Sequence, residues 1–143
     1  MIVEKTPWNP SIKAIRKVKD PLPAPTECRY CNGNVAIVSH EDVYGRSYGN
    51  WPWLYICTTC RAYVGMHPFT DIPLGTLANK ETRAARNSCK QYFEQIWRSG
   101  RLTRTEAYHW LAKQLEISPS QCHFGWFDTD MCERAANICR RFK

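Results

Sequence analysis

The sequence predicts an α+β fold in which a small antiparallel sheet precedes a three-helix C-terminal half. Three observations carry that expectation. Two Cys-x-x-Cys turns, Cys28 to Cys31 and Cys57 to Cys60, stand 25 residues apart, room for a strand, a loop and a returning strand. Short runs rich in β-branched and aromatic residues lie between and just after those turns. From residue 79 onward, helix-capping signals recur at intervals that suit three helices.

Taken in order, residues 1–26 form a proline-rich basic arm, because Pro7, Pro10, Pro21, Pro23 and Pro25 interrupt helix and bias their predecessors toward extended backbone. Within the arm, Ser11 to Lys19 suits a short helix, Ile12, Ile15 and Val18 on one side and Lys13, Arg16 and Lys17 on the other. Residues 27–143 read as a single domain, its sheet over 27–67 and its helical part over 78–142. Strands are expected at Val35 to Ser39, Trp53 to Ile56 and Ala62 to Met66, with a glycine-containing loop over Tyr44 to Asn50. A first long helix starts at Thr76 or Asn79 and runs to about Arg98, where Ser99-Gly100 supplies a left-handed stop. Thr103 and Glu106 form a capping box for a second, ending near Leu115. Ser118-Pro119 opens a single turn, and Asp128 caps a last helix with Arg140, Arg141 and Lys143 at its end, the order the helix dipole favours.

Composition narrows the function classes. Hydrophobic residues make up 43% and aromatics 13% of the 143 residues, too much apolar surface for a disordered chain. No apolar run approaches the ~18 residues of a membrane span and the N-terminus lacks a signal-peptide core, so a cytoplasmic protein with no membrane partner is expected. In a reducing compartment, eight cysteines favour metal ligation or free thiols over disulfides. Twenty Lys and Arg against thirteen Asp and Glu give a formal charge of +7. That excess suits a polyanionic partner or is simply the charge of a basic soluble protein.

The two Cys-x-x-Cys turns carry the most specific chemistry. Four thiolates from two facing turns occupy the vertices of a tetrahedron at ~2.3 Å from Zn²⁺, with no vertex left for water, so Cys28, Cys31, Cys57 and Cys60 are expected to hold a structural zinc ion. Iron accepts the same ligands. A redox motif would use one pair beside a βαβ unit, and disulfides would need an oxidising compartment. Gly33, two residues past the first pair, is expected to supply a positive φ for the turn. Cys122, His123, Cys132 and Cys139 have no knuckle spacing, and Cys132 and Cys139 share a stripe with Ala135, Ala136 and Ile138, so buried thiols are expected there.

From Cys28-x₂-Cys31-x-Gly33 through Tyr44-Gly45-Arg46-Ser47-Tyr48-Gly49 and Cys57-x₂-Cys60-x₂-Tyr63-Val64-Gly65-x-His67, the chain resembles the zinc-finger-containing domain proteins of bacteria and their phages, a family without an established activity. The likeness continues through Pro73 to Ala78, Arg83 to Arg86, Ala107 to Ala112 and Cys122 to Asp128, so it covers about residues 27–139. Glu116 departs from the glycine that the resemblance implies, which puts a sharp bend there in question.

Candidate partner surfaces follow from the basic and aromatic residues. On the helix over 79–98, Lys80, Arg83, Arg86, Lys90 and Arg98 fall within about 120° of arc at 100° per residue. Such a face tracks a phosphate backbone or is an ordinary solvated face. On the sheet, Arg46 and Arg61 interleave with Tyr44, Tyr48, Trp51, Trp53, Tyr55 and Tyr63, of which about half are expected in the core. The leading expectation is a non-enzymatic nucleic-acid-binding protein using these residues and the arm. A second is a protein-binding modulator of a host enzyme, acting in the bacterial cytoplasm if the chain is phage-encoded. A third is a metal-dependent nuclease using His67 and Asp71, although Pro68 separates them and no paired carboxylates follow. Residues 107–127 also suggest a helix-turn-helix, which Gly125 and the aromatics Phe124, Trp126 and Phe127 interrupt.

Overall fold

The computed structural model describes residues 4–142, so Met1 to Val3 of the arm and Lys143 lie outside the described residues. The chain divides after Asn79 into two compact units. The first contains a three-stranded antiparallel sheet in the order β1-β2-β3, from β1 (Val35–Ser39), β2 (Trp53–Cys57) and β3 (Tyr63–Gly65). Register runs from Val35 opposite Cys57 to Ser39 opposite Trp53, and from Leu54 opposite Gly65 to Ile56 opposite Tyr63. Beyond β3 the chain returns through isolated bridges, Met66 to Pro73 and Tyr63 to Ala78.

Central position makes β2 the buried strand, and from Leu54 to Cys57 it is covered on both faces. Trp51, Tyr55, Val64, Met66 and Leu77 form the core of this unit with Cys28 and Cys57. Buried aromatic polar groups need partners, and both find carbonyls of the 67–72 loop. Trp51 Nε1–H donates to Thr70 O at 2.9 Å, and the Tyr55 hydroxyl donates to Asp71 O. Burial, and secondarily the Asp71 charge, pushes the Tyr55 hydroxyl up to about 12. Thr70 knots that loop: its hydroxyl donates to His67 O at 2.8 Å and accepts from Ile72 N at 3.0 Å.

The arm is moored to this unit. Helix α1 (Ile12–Lys17) is shorter than the sequence suggests, capped by Ser11 Oγ accepting from Ala14 N at 3.2 Å. Ser11 N donates to Phe69 O at 2.8 Å, and Trp8 meets Trp53 edge to face at 5.4 Å. One element had no periodic signal to betray it. Helix α2 (Glu41–Tyr44) is a single turn inside the β1–β2 connection, ended by Gly45 at φ 77°.

The second unit is helical: α3 (Lys80–Arg98), α4 (Arg104–Leu115) and α5 (Thr129–Arg140), with 3-10 turns at Pro119–Gln121 and Phe124–Trp126 in place of any recognition helix. Helix α3 stops at Gly100 in a left-handed conformation, φ 83°. The capping box of α4 is complete, Thr103 Oγ1 accepting from Glu106 N at 3.1 Å and Glu106 Oε1 from Thr103 N at 2.9 Å. The bond from the Thr103 backbone holds the Glu106 carboxyl below its ordinary value. Asp128 Oδ1 accepts from Met131 N at 2.8 Å at the start of α5.

Phe93, Leu111, Leu115, Phe124 and Phe127 fill the core of this unit with Cys89, Cys122, Cys132 and Cys139. Each fully buried Phe or Leu contributes about 1.5–3 kcal/mol. The bend after α4 is made without glycine: Glu116 takes the left-handed conformation, φ 59° and ψ 41°. A side chain there costs roughly 1–2 kcal/mol, because Cβ crowds the following carbonyl.

Candidate metal centre and binding surfaces

The two cysteine turns are built alike. In the first, Asn32 N donates to Cys28 O and Cys28 N to Gly33 O, both at 2.9 Å. In the second, Arg61 N donates to Cys57 O at 3.0 Å and Cys57 N to Ala62 O at 2.8 Å. The fifth residue of each is left-handed, Asn32 at φ 61° and Arg61 at φ 66°. The positive φ expected of Gly33 therefore belongs to its neighbour Asn32, whose short polar side chain tolerates it. Gly33 is required by proximity instead: a Cβ there would sit 2.8 Å from Thr59 Oγ1 and 3.0 Å from Cys57 Sγ. Thr58 ties the turns together, its N–H and hydroxyl both donating to Asn34 O, at 2.9 and 3.1 Å.

This arrangement brings the four sulfurs to one point, all within 4.8 Å of one another. Cys28 Sγ to Cys60 Sγ and Cys31 Sγ to Cys57 Sγ are each 3.5 Å. Sulfurs around a tetrahedral zinc at ~2.3 Å would stand about 3.8 Å apart, so the cage fits the ion with only a small expansion. Backbone N–H groups already point at the sulfurs: Tyr30 N to Cys28 Sγ, and Thr59 N and Cys60 N to Cys57 Sγ, each at 3.4 Å. The bond from Cys60 N, aided by Thr59 N, lowers the Cys57 thiol to about 6. Cys60 goes the other way, to about 12: the Ala62 backbone pulls it down, but burial and its three sulfur neighbours outweigh that pull. Thiols this close cannot all ionise unaided, and a divalent cation removes the conflict. Cys28 and Cys57 face the core while Cys31 and Cys60 face solvent.

A three-stranded sheet clamped by a four-sulfur centre defines a zinc-finger protein of ribbon type, in which the metal holds structure. The chain belongs to the family of zinc-finger-containing domain proteins, whose sequence pattern it matches over residues 24–142. No curated protein and no solved structure is significantly similar to it. No helix among the described residues is long and apolar enough to cross a membrane.

The remaining candidate residues fall into separate groups. In the first unit, His40, Tyr44, Tyr48 and Tyr63 form a ring cluster, with Tyr44 5.3 Å from His40, 5.4 Å from Tyr48 and 5.7 Å from Tyr63. Arg46 lies over the Tyr48 ring at 4.8 Å, and Arg61 Nη2 donates to Asp42 O at 3.4 Å. Tyr44 and Tyr48 are 41% and 49% exposed. His40 fixes the loop: its N–H donates to Pro52 O at 2.8 Å and its Nδ1 accepts from Tyr48 N at 3.2 Å. Sequence reasoning missed His40 because its partners lie across a loop with no period to read. Trp51 and Tyr55, by contrast, belong to the core.

In the second unit the basic face of α3 is narrower than the helical wheel suggests. Lys80, Lys90 and Arg98 are exposed, and Arg98 pairs with Glu94 at 3.0 Å. Arg83 is half-buried. Arg86 is only 9% exposed, and its Nε donates to Phe127 O at 2.9 Å. The reason is angular: seven residues separate Arg86 from Phe93, about 20° on the wheel. Arg86 therefore rides the buried seam of Thr82, Cys89, Phe93 and Ile96 and leaves the outer face. His67 and Asp71 end up bracing the 67–72 loop with backbone groups, His67 N donating to Ile72 O at 2.9 Å.

Proposed function

We propose that this protein is a non-enzymatic nucleic-acid-binding protein, in which zinc holds the surface that meets the partner. The observation that carries the reading is the exposed Tyr44 and Tyr48 pair with Arg46 stacked on Tyr48, on a loop anchored to the zinc-clamped sheet. Exposed rings beside guanidinium groups accept bases by stacking and phosphates by charge. With the zinc-bound thiolates counted, the formal +7 of the chain falls to about +5, so the basic excess survives metal binding. The test is a titration of zinc-loaded protein with short labelled DNA and RNA across salt. Three phosphate contacts to a single strand give a log-log salt slope of about −2. No binding at about 50 mM salt overturns the proposal.

A second reading, a protein-binding modulator of a host enzyme, is favoured by the exposed apolar side chains Phe69 and Leu74. It requires a purified enzyme partner whose activity changes on addition of the protein and reverts with Phe69→Ser and Leu74→Ser.

A further inference from the structure

The N-terminal arm carries the most exposed large apolar side chains of the described residues, Trp8 at 66% and Ile12 at 67%. Trp8 stands at the tip of a tight turn closed by Asn9 N donating to Thr6 O at 2.9 Å and Thr6 N to Asn9 O at 3.4 Å. Asn9 Nδ2 braces the turn on Glu4 O at 3.3 Å. The indole touches Trp53 only in an edge-to-face contact, which leaves most of the ring open. Two residues beyond the turn, Ser11 caps α1 and its N–H bonds to Phe69 O.

Helix α1 then turns Ala14 and Ile15 inward and Lys13, Arg16 and Lys17 outward. Among the described residues these three cations make no ion pair, hydrogen bond or ring contact. Lys13 and Lys17 are one helical turn apart, about 6 Å along the axis. Lys5 and Lys19 add to the charge, against Glu4 and Asp20 at the ends of the segment. Three of the other candidate cations are committed elsewhere, Arg86 to Phe127 O, Arg98 to Glu94 and Arg61 to Asp42 O, while Lys80 and Lys90 are exposed on the helical unit.

We propose that the moored arm is a single-strand grip, in which Trp8 stacks on an unpaired base of a nucleic acid while Lys13, Arg16 and Lys17 meet its phosphates. This rests on the nucleic-acid reading above and adds to it the element used and the strandedness of the partner. Paired bases are already stacked and offer only their edges, so an open indole face adds affinity for unpaired bases alone. Because the turn, the cap and the Phe69 bond hold the arm in place, little ordering entropy is lost on binding. The row of free cations favours a polyanion over an apolar protein groove.

The experiment measures anisotropy of a labelled single strand of about 12 nucleotides, and of a duplex of the same sequence, with the full zinc-loaded chain, a length that covers one small site. The expected result is at least a tenfold preference for the single strand. Trp8→Ala should weaken single-strand binding about 5- to 100-fold and leave duplex binding unchanged, whereas Trp8→Tyr, which keeps a stacking ring, should stay within a few-fold of the parent. Replacing Lys13, Arg16 and Lys17 together by Gln should reduce the magnitude of the salt slope by about 2, and Lys80→Gln with Lys90→Gln should not change it. Zinc content and circular dichroism show that each variant is folded. Equal or tighter duplex binding, or a Trp8→Ala variant that binds like the parent, overturns the single-strand grip while leaving a nucleic-acid-binding protein. Loss of a protein complex in Trp8→Ala with unchanged oligonucleotide binding overturns it in favour of protein docking. No binding to either oligonucleotide overturns both proposals.

Discussion

Each unit of the chain holds four cysteines, and the two sets are used in opposite ways. In the sheet unit, Cys28, Cys31, Cys57 and Cys60 converge, two of them on the solvent side, with backbone N–H groups aimed at sulfur. In the helical unit all four are buried and act as small apolar side chains. Burial there pushes the Cys122 thiol up to about 11 and Cys139 to about 12. Cys89 is raised first by its hydrogen bond with Cys132, while the same bond lowers Cys132, so the two share one proton-poor position inside the core and neither is reached by solvent. What separates the sets is paired spacing in tight turns against single positions on helices, for Cys89, Cys132 and Cys139, and after a 3-10 turn, for Cys122. A two-residue gap in a tight turn makes two sulfurs converge, whereas cysteines on α3 and α5 become knobs in a packed seam. The lesson extends to how each unit is held: one by a metal over a small core, the other by Phe93, Leu111 and Leu115.

That contrast is breakable. Chelating zinc, or Cys28→Ser, removes a contribution of about 10–16 kcal/mol from the first unit. It should abolish the tryptophan near-UV signal of the sheet while the helical far-UV signal persists, and the cage thiols, four after chelation and three in Cys28→Ser, should become reactive. Simultaneous loss of both signals would show that the helical unit depends on the metal as well. Leu111→Ala, in the second core, should lower the stability of the helical transition by about 2–5 kcal/mol in urea unfolding and leave one zinc bound per chain. Gly33→Ala should weaken zinc affinity by about tenfold in a competition titration, because its Cβ must displace Thr59 and Cys57 Sγ. The smallest effect is a gain: Glu116→Gly relieves the left-handed cap of α4 and should raise stability by about 1 kcal/mol, seen as a melting temperature a few degrees higher.

Much of this architecture is legible in the sequence because it is local. The runs at Val35–Ser39, Trp53–Cys57 and Tyr63–Gly65 carry β-branched and aromatic side chains, and Thr103, Ser118 and Asp128 announce the segments that follow them. The zinc ligands are legible because their spacing leaves few other chemistries. What escapes reading depends on what the chain meets from afar. Arg86 looks like a surface cation until Phe127 O is brought to it, and Gly33 looks like a turn residue until Thr59 crowds it. Helix α2 is too short to have a period. Glu116 shows the limit from the other side: a residue ill suited to a left-handed bend makes one, because the packing of Leu111 and Leu115 on one side and Ile117 on the other outweighs the local cost.

The register of the first hairpin has a consequence for how the protein is made. Cys57 sits directly opposite Val35 at the end of the β1–β2 ladder. A slip by one residue would turn every side chain of β2 to the other face and carry Cys57 away from Cys31. Only one alignment closes the four-sulfur cage, so the ion proofreads strand pairing as well as stabilising the result. In zinc-poor cells the chain should therefore lose yield through misaligned hairpins before the stability of the finished fold becomes limiting.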